Sequence, residues 1–334
     1  MTTELELKPS QARQVIEAHI DADVPVLLTG QPGAGKSDVI RQISAARNWR
    51  MVDMRLSTID AVDLRGLPAP RDGKAVFLPM GELPDESRDG AQGILFLDEL
   101  PQAPMAVQNA AFSLVLDRRI GEYHLPQGWR VVAAGNRLQD RAGVNRINSA
   151  LANRFAHVAM VVDLNDWCTW ALANDVAPEL VAFIRFRPEL LCQFEADRSV
   201  NNTPRTWAMV GKHLKRALPI GVETPVIASL VGTGPASELL AFLQVWRRLP
   251  SPDVVLLNPT GAPIPQDGAT LYALAGALAR RVTHQSIDAF VTYINRLPPE
   301  YGVIAMRDAT ARDSTLEKTA AAIRWLSDNS NVYL

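Results

Sequence analysis

The run Gly30-Gln31-Pro32-Gly33-Ala34-Gly35-Lys36-Ser37 gathers the residue types that can hold a polyphosphate. Its pattern is G-x-x-x-x-G-K-S. It follows the apolar stretch Val24 to Thr29 and opens a polar, helix-like segment, which is the strand–loop–helix context of a P-loop. Glycines let backbone N–H groups close around a β-phosphate where a side chain would obstruct. Lys36 can reach the β- and γ-phosphates as a point charge, and the Ser37 hydroxyl suits a Mg²⁺ ligand position. The helix that follows points its positive end at the same phosphates. The chemistry expected here is nucleoside triphosphate binding.

A second group lies at the ends of apolar runs. Ile94-Leu95-Phe96-Leu97 leads into Asp98-Glu99, the form of a Walker B strand. Asp98 would hold the Mg²⁺ shell and Glu99 would polarise the attacking water, which favours hydrolysis over storage of the nucleotide. Asn136 ends the run Val131 to Gly135. It could orient that water, or form a turn through its own local hydrogen bonds. Asn153-Arg154-Phe155 offers Arg154 as an arginine finger supplied to a neighbouring subunit, a role worth about 10³–10⁵ in rate. Arg137, Arg141 and Arg146 compete for it, and a surface salt bridge is the plain alternative. Thr203-Pro204-Arg205 sets Thr as N-cap and Pro as first helical residue, leaving Arg205 in an electropositive first turn. From there it would reach the phosphates when a helical lid closes; otherwise it faces solvent.

The elements that must position these residues follow from periodicity. Short apolar strands at Val24–Thr29, Trp49–Leu56, Ile94–Leu97, Val131–Gly135 and Ala156–Val162 alternate with helices at Pro9–Ile20, Ser37–Arg47 and Pro104–Asp117. That alternation predicts a parallel α/β sheet with its polar groups at strand C-terminal ends. Ser57 with Asp60 suggests a helix start, soon interrupted by Pro68, Pro70 and the hairpin signal Asp72-Gly73, with a short helix resuming over Gly81–Arg88. Phe77-Leu78 on that hairpin can meet a partner or pack on its own domain. A second hairpin or loop is expected over Arg119–Trp129. Beyond Asp163 the strands fade, and helices are predicted at 167–174, 178–186, 203–217, 236–249, 270–281, 286–297 and 314–326, the last opened by the capping box Ser314 to Glu317.

Composition narrows the partners. The 334 residues carry a net charge of −2, which gives no whole-chain reason to expect nucleic-acid binding. Hydrophobic residues make up 47%, enough for ordered cores. Cys168 and Cys192 show no C-x-x-C spacing, so neither a disulfide framework nor a zinc site is expected. Met1 to Lys8 lacks a secretory pattern, and no apolar run approaches ~18 residues. A cytoplasmic protein without a membrane span is expected.

The motif order resembles the MoxR-like AAA+ ATPases, in the clade whose second helix carries an inserted hairpin. The resemblance rests on Gly30–Ser37, Asp63-Leu64-Arg65-Gly66, Ile94–Glu99, Gln108-Asn109-Ala110, Asn136, Asn153-Arg154-Phe155 and Thr203-Pro204-Arg205. It implies an AAA+ α/β ATPase domain over residues 1–163, a helical lid over 164–249 and a helical C-terminal extension over 250–334. It further implies ATP and Mg²⁺ as cofactors, a homo-oligomeric ring of about six subunits, a protein client and a von Willebrand A-type partner. Such a ring would act as a chaperone or remodeller. Two other readings are a nucleic-acid motor or loader of the same class, against which the near-neutral charge speaks, and a P-loop small-molecule kinase, which usually has a lid arginine cluster in place of Asp98-Glu99.

Overall fold

The computed structural model describes residues 5–137, 140, 147, 149–216, 218–219, 221–247, 249 and 251–329. The chain forms two compact units. One comprises the residues up to Asp163 with Phe194–Ser199, and the other Leu164–Gln193 with the residues from Val200 on.

The first unit opens with β1 (Glu6–Leu7), α1 (Pro9–Asp21), β2 (Val26–Gly30), α2 (Lys36–Ala46) and β3 (Arg50–Arg55). It continues through α3 (Ala61–Arg65), a hairpin of β4 (Leu67–Arg71) and β5 (Lys74–Leu78), and α4 (Glu86–Asp89). Then come β6 (Gln92–Asp98), α5 (Met105–Asp117), a hairpin of β7 (Arg119–Ile120) and β8 (Tyr123–His124), β9 (Gly128–Gly135), α6 (Ser149–Ala152) and β10 (Ala156–Met160). Six strands form one parallel sheet in the order β1-β10-β2-β9-β6-β3.

Both faces of this sheet are buried, which is why its strands read as continuous apolar runs. Leu27, Leu95, Leu97, Val131 and Ala133 point into a core shared with Leu56, Leu64, Val107, Leu114 and Trp129. Their chain neighbours Val26, Leu28, Ile94, Phe96, Val132 and Ala134 point to the other side, against Ile16 and Ile20 of α1 and Ile40 and Ile43 of α2. Each Val, Leu, Ile or Phe among them contributes about 1.5–3 kcal/mol on burial. The order places β9 between β2 and β6, so the residues that end these strands share one edge.

Several expected elements differ. Ser57 does not open a helix; Leu56–Thr58 is a single 3-10 turn, and α3 starts one turn later with Asp60 and Asp63 as its reciprocal cap. The short helix expected over Gly81–Arg88 is reduced to α4, because Pro84 holds the chain before Asp85, whose side chain caps the Ser87 and Arg88 N–H groups. Phe77 packs within its own unit, against Gly121 of the second hairpin and beneath the Arg65 guanidinium, 5.1 Å from its ring centre. Leu78 and its register partner Leu67 stay exposed.

The second unit is helical: α7 (Leu164–Ala173), α8 (Pro178–Phe186), α9 (Pro204–Leu214), α10 (Glu223–Val231) and α11 (Thr233–Trp246), then α12 (Pro252–Leu257), α13 (Gly268–Arg281), α14 (Ile287–Ile294), α15 (Pro299–Arg312) and α16 (Ala320–Asp328). Thr203 caps α9 as the sequence suggests, accepting from Thr206 N at 3.2 Å. The box at Ser314 caps no α-helix: Ser314–Lys318 is 3-10, and Thr319 is the N-cap of α16. Helices α10, α12 and α15 were not expected. For α15 the reason is Pro298-Pro299, which reads as a breaker but supplies a proline at the first helical position. Among the described residues no helix is long and apolar enough to cross a membrane.

One close approach fixes the edge that carries the polar residues. A Cβ on Gly135 would lie 2.2 Å from Pro101 Cδ, in the turn that follows Glu99. Gly135→Ala is therefore expected to destabilise the first unit by about 1–3 kcal/mol, as overpacking does. The check is the urea midpoint followed through the fluorescence of buried Trp129; an unchanged midpoint would mean that the turn yields freely.

Candidate functional site

The loop from Gly30 to Gly35 turns β2 into α2. Gly33 and Gly35 have φ of 74° and 95°, a left-handed conformation that favours glycine, and no neighbour fills the space beside Gly35. The α2 N-terminus therefore opens with unobstructed backbone N–H groups. Lys36, the first residue of α2, is only 8% exposed. Its ammonium donates to Gly30 O, Gln31 O and Asn136 Oδ1, each at 2.9 Å. The Asn136 contact joins the end of β9 to the loop.

Asp98 ends β6 and is equally buried. Its Oδ2 accepts from Ser37 Oγ at 3.1 Å and its Oδ1 from the Glu99 N–H at 2.9 Å. A hydroxyl and a carboxylate oxygen thus stand side by side next to the loop. That donor pair fits magnesium, which commonly keeps several waters and needs only one or two protein oxygens. Among the described residues no group of three or more His, Cys, Asp or Glu forms a fuller cage.

Glu99 has φ of 57°, an unusual left-handed conformation for a side chain of its size and one that costs about 1–3 kcal/mol. This turn carries its carboxylate towards β3. Register pairs Arg55 with Asp98, which brings the residues that follow β3 close to those that follow β6. The Ser57 hydroxyl donates to Glu99 Oε2, and Arg55 Nε stands 3.8 Å from Oε1. Neither Ser57 nor Arg55 was singled out from the sequence. The cap-like spacing of Ser57 to Asp60 pointed away from this role, and only the pairing of β3 with β6 reveals it.

The arginines divide. Arg137 is committed to its own neighbourhood by two bonds of 3.1 Å to Asp140 and a 3.6 Å approach to Glu6. Arg154, after α6, is exposed, and its guanidinium makes no hydrogen bond or ion pair among the described residues. Arg141 and Arg146 lie outside the described residues. Arg205 is exposed in the first turn of α9, in the second unit, while Gly30–Ser37, Asp98, Glu99, Asn136 and Arg154 belong to the first.

Residues 25–155 match the AAA domain of the dynein-related subfamily. Midasin from Giardia intestinalis is 30% identical over 158 residues, which is 45% of this chain and 3% of that protein's length. Among solved structures, NtrX from Brucella abortus in complex with ADP is 17% identical over 96% of this chain and 68% of its own, with a TM-score of 0.41. A RuvB mutant from Thermotoga maritima is also 17% identical, over 81% of this chain and 83% of its own, at 0.42.

Asp53 on β3 adds a charge beside the site. Burial, then the negative charge of Asp98, pushes its carboxyl above the usual aspartate range, while Arg41 at 3.7 Å opposes the shift. A carboxyl raised in the folded state stabilises below its unfolded value and loses that contribution as pH rises past its folded value. Asp53→Asn is therefore expected to raise the thermal midpoint at pH 7, with the gain disappearing below the ordinary aspartate value of 3.8. Melting curves at both pH values check this; a midpoint that falls at pH 7 would mean that the Arg41 contact outweighs the repulsion.

Proposed function

We propose that this chain is an ATP-hydrolysing AAA+ remodeller of the MoxR-like kind. The observation that carries the reading is the convergence of Lys36, Ser37, Asp98 and Asn136, from the ends of three adjacent parallel strands, on one phosphate-sized loop, with Glu99 next in the chain after Asp98. The match of residues 25–155 to AAA domains supports it.

In this reading the N–H groups of Gly30 to Gly35 and the Lys36 ammonium take the β- and γ-phosphates of ATP. Ser37 and Asp98 hold magnesium, which when bound neutralises phosphate charge. Glu99 draws a proton from the attacking water, and Asn136, already on Lys36, orients that water against the γ-phosphate. Arg154, exposed and unpaired among the described residues, completes the site of a neighbouring subunit in a ring of about six. Arg205 reaches the phosphates when residues 164–249 act as a lid, and residues 250–334 set the choice of partner. The MoxR-like motif order supports a von Willebrand A-type partner, a protein client whose complex is assembled or activated, and a cytoplasmic location.

Glu99→Gln is expected to keep ATP affinity while turnover falls about 10²–10⁴-fold, the span of general-base catalysis. Arg154→Ala should lose turnover as strongly, and mixing it with Lys36→Ala subunits should restore part, since each supplies what the other lacks. Phosphate release by pure Glu99→Gln protein at the parent rate would sink the assignment.

Ser57 acts on Glu99 in the structure described. The bond holds the carboxylate towards β3. Ser57→Ala is expected to raise client-free turnover about three- to tenfold, the scale of one net hydrogen bond, with ATP affinity unchanged. Steady-state kinetics of the purified variant decide it; a fall in turnover would make Ser57 a support for catalysis and not a restraint.

A further inference from the structure

Far from the phosphate loop in sequence, the second unit contains a cavity of about 460 Å³ between α7, α8, α13 and α15. Its size is that of a small-molecule site. Small residues on all four helices keep it open: Ala173, Ala182, Gly276, Ala279 and Ala311.

The cavity is also lined by a buried ion pair. Arg185 and Asp308 have side chains 9% and 8% exposed and bond through Asp308 Oδ2. Asp308 Oδ1 is buried too, yet it accepts from no described group. An acceptor left unmatched in the interior costs about 1–3 kcal/mol, more when charged, so native proteins leave few. The other charged groups of the lining are nearly all committed. Asp175 pairs with Lys215, and Arg312 donates to the carbonyls of Arg280 and Val282. Arg280 is exposed, and its guanidinium makes no hydrogen bond or ion pair among the described residues. One buried acceptor therefore lacks a partner among the described residues, and the exposed Arg280, whose charge acts on Asp175, has no close ion pair among them, with an apolar hollow in the same lining.

A lone amine would meet three arginines against two aspartates, and a lone carboxylate would leave Asp308 Oδ1 without a donor. A molecule bearing both groups answers both. We propose that this cavity binds a small apolar α-amino acid, with its ammonium on Asp308, its side chain against the alanine wall and its carboxylate towards Arg280. Nothing in this inference depends on the nucleotide reaction.

The test is calorimetry on the full chain with L-leucine, isoamylamine and isocaproate, the last two being leucine without its carboxylate or without its ammonium. L-leucine is expected to bind at least tenfold tighter than either. Asp308→Asn should weaken it at least tenfold, and Arg280→Ala should narrow the gap between leucine and isoamylamine. Should Asp308→Asn fail to fold, Ala311→Phe, on the exposed rim, should still abolish binding while keeping a parent-like melting curve. The proposal is overturned if L-leucine gives no saturable heat, if either half-ligand matches it, or if folded Ala311→Phe binds as the parent does.

Discussion

A nearly buried ammonium must be fully bonded or lose its charge, and this requirement organises the phosphate site. Lys36 meets it with two carbonyls of its own loop and the amide oxygen of Asn136. The third contact is the consequential one, because Asn136 ends a different strand. It is available only because β9 lies beside β2 in the sheet. A buried cation left with fewer partners would pay several kcal/mol in desolvation. The same charge that suits a polyphosphate therefore ties the loop to the strand order.

Asp98 performs the matching task on the acidic side. Both of its oxygens are engaged, one with Ser37 on α2 and one with the N–H of the residue that follows it. Those bonds fix where the chain turns after β6, and the left-handed backbone at Glu99 completes the turn. The strain is held in place by Gly135, which lets the Pro101 turn lie close against the end of β9. Position of the carboxylate thus depends on sheet packing as much as on the acidic pair itself.

Much of this was legible in the sequence, for reasons that can be named. The run Gly30 to Ser37 is a local code, since its glycines and lysine act within one turn of chain. Strands buried on both faces appear as unbroken apolar runs, so Ile94 to Leu97 and Val131 to Ala134 announced themselves. Ser57 did not, because its partner is set by the pairing of β3 with β6, a long-range fact, while its local spacing mimics a helix cap. The helix α15 was hidden by a proline that starts helices as readily as it ends them. The Arg185–Asp308 pair was hidden in the same way as Ser57: its members are far apart in the chain and meet only when α8 packs near α15.

The inserted hairpin shows how an exposed element can be kept from pairing with other chains. Leu67 and Leu78 form an uncovered apolar pair at its base, a feature that invites strand addition. Yet β4 carries Pro68 and Pro70, which have no N–H to offer a further strand, and charged Arg71 and Lys74 flank its Asp72-Gly73 turn. On the inner side, Phe77 is seated against Gly121 and under Arg65, and Tyr123 of the neighbouring hairpin donates to Pro84 O at 2.8 Å. The β7–β8 hairpin therefore touches β5 at Phe77 and the segment that follows it at Pro84. The backbone edge of β4 is thus blocked by its prolines, while the exposed side chains of Leu67 and Leu78 stay open to contact.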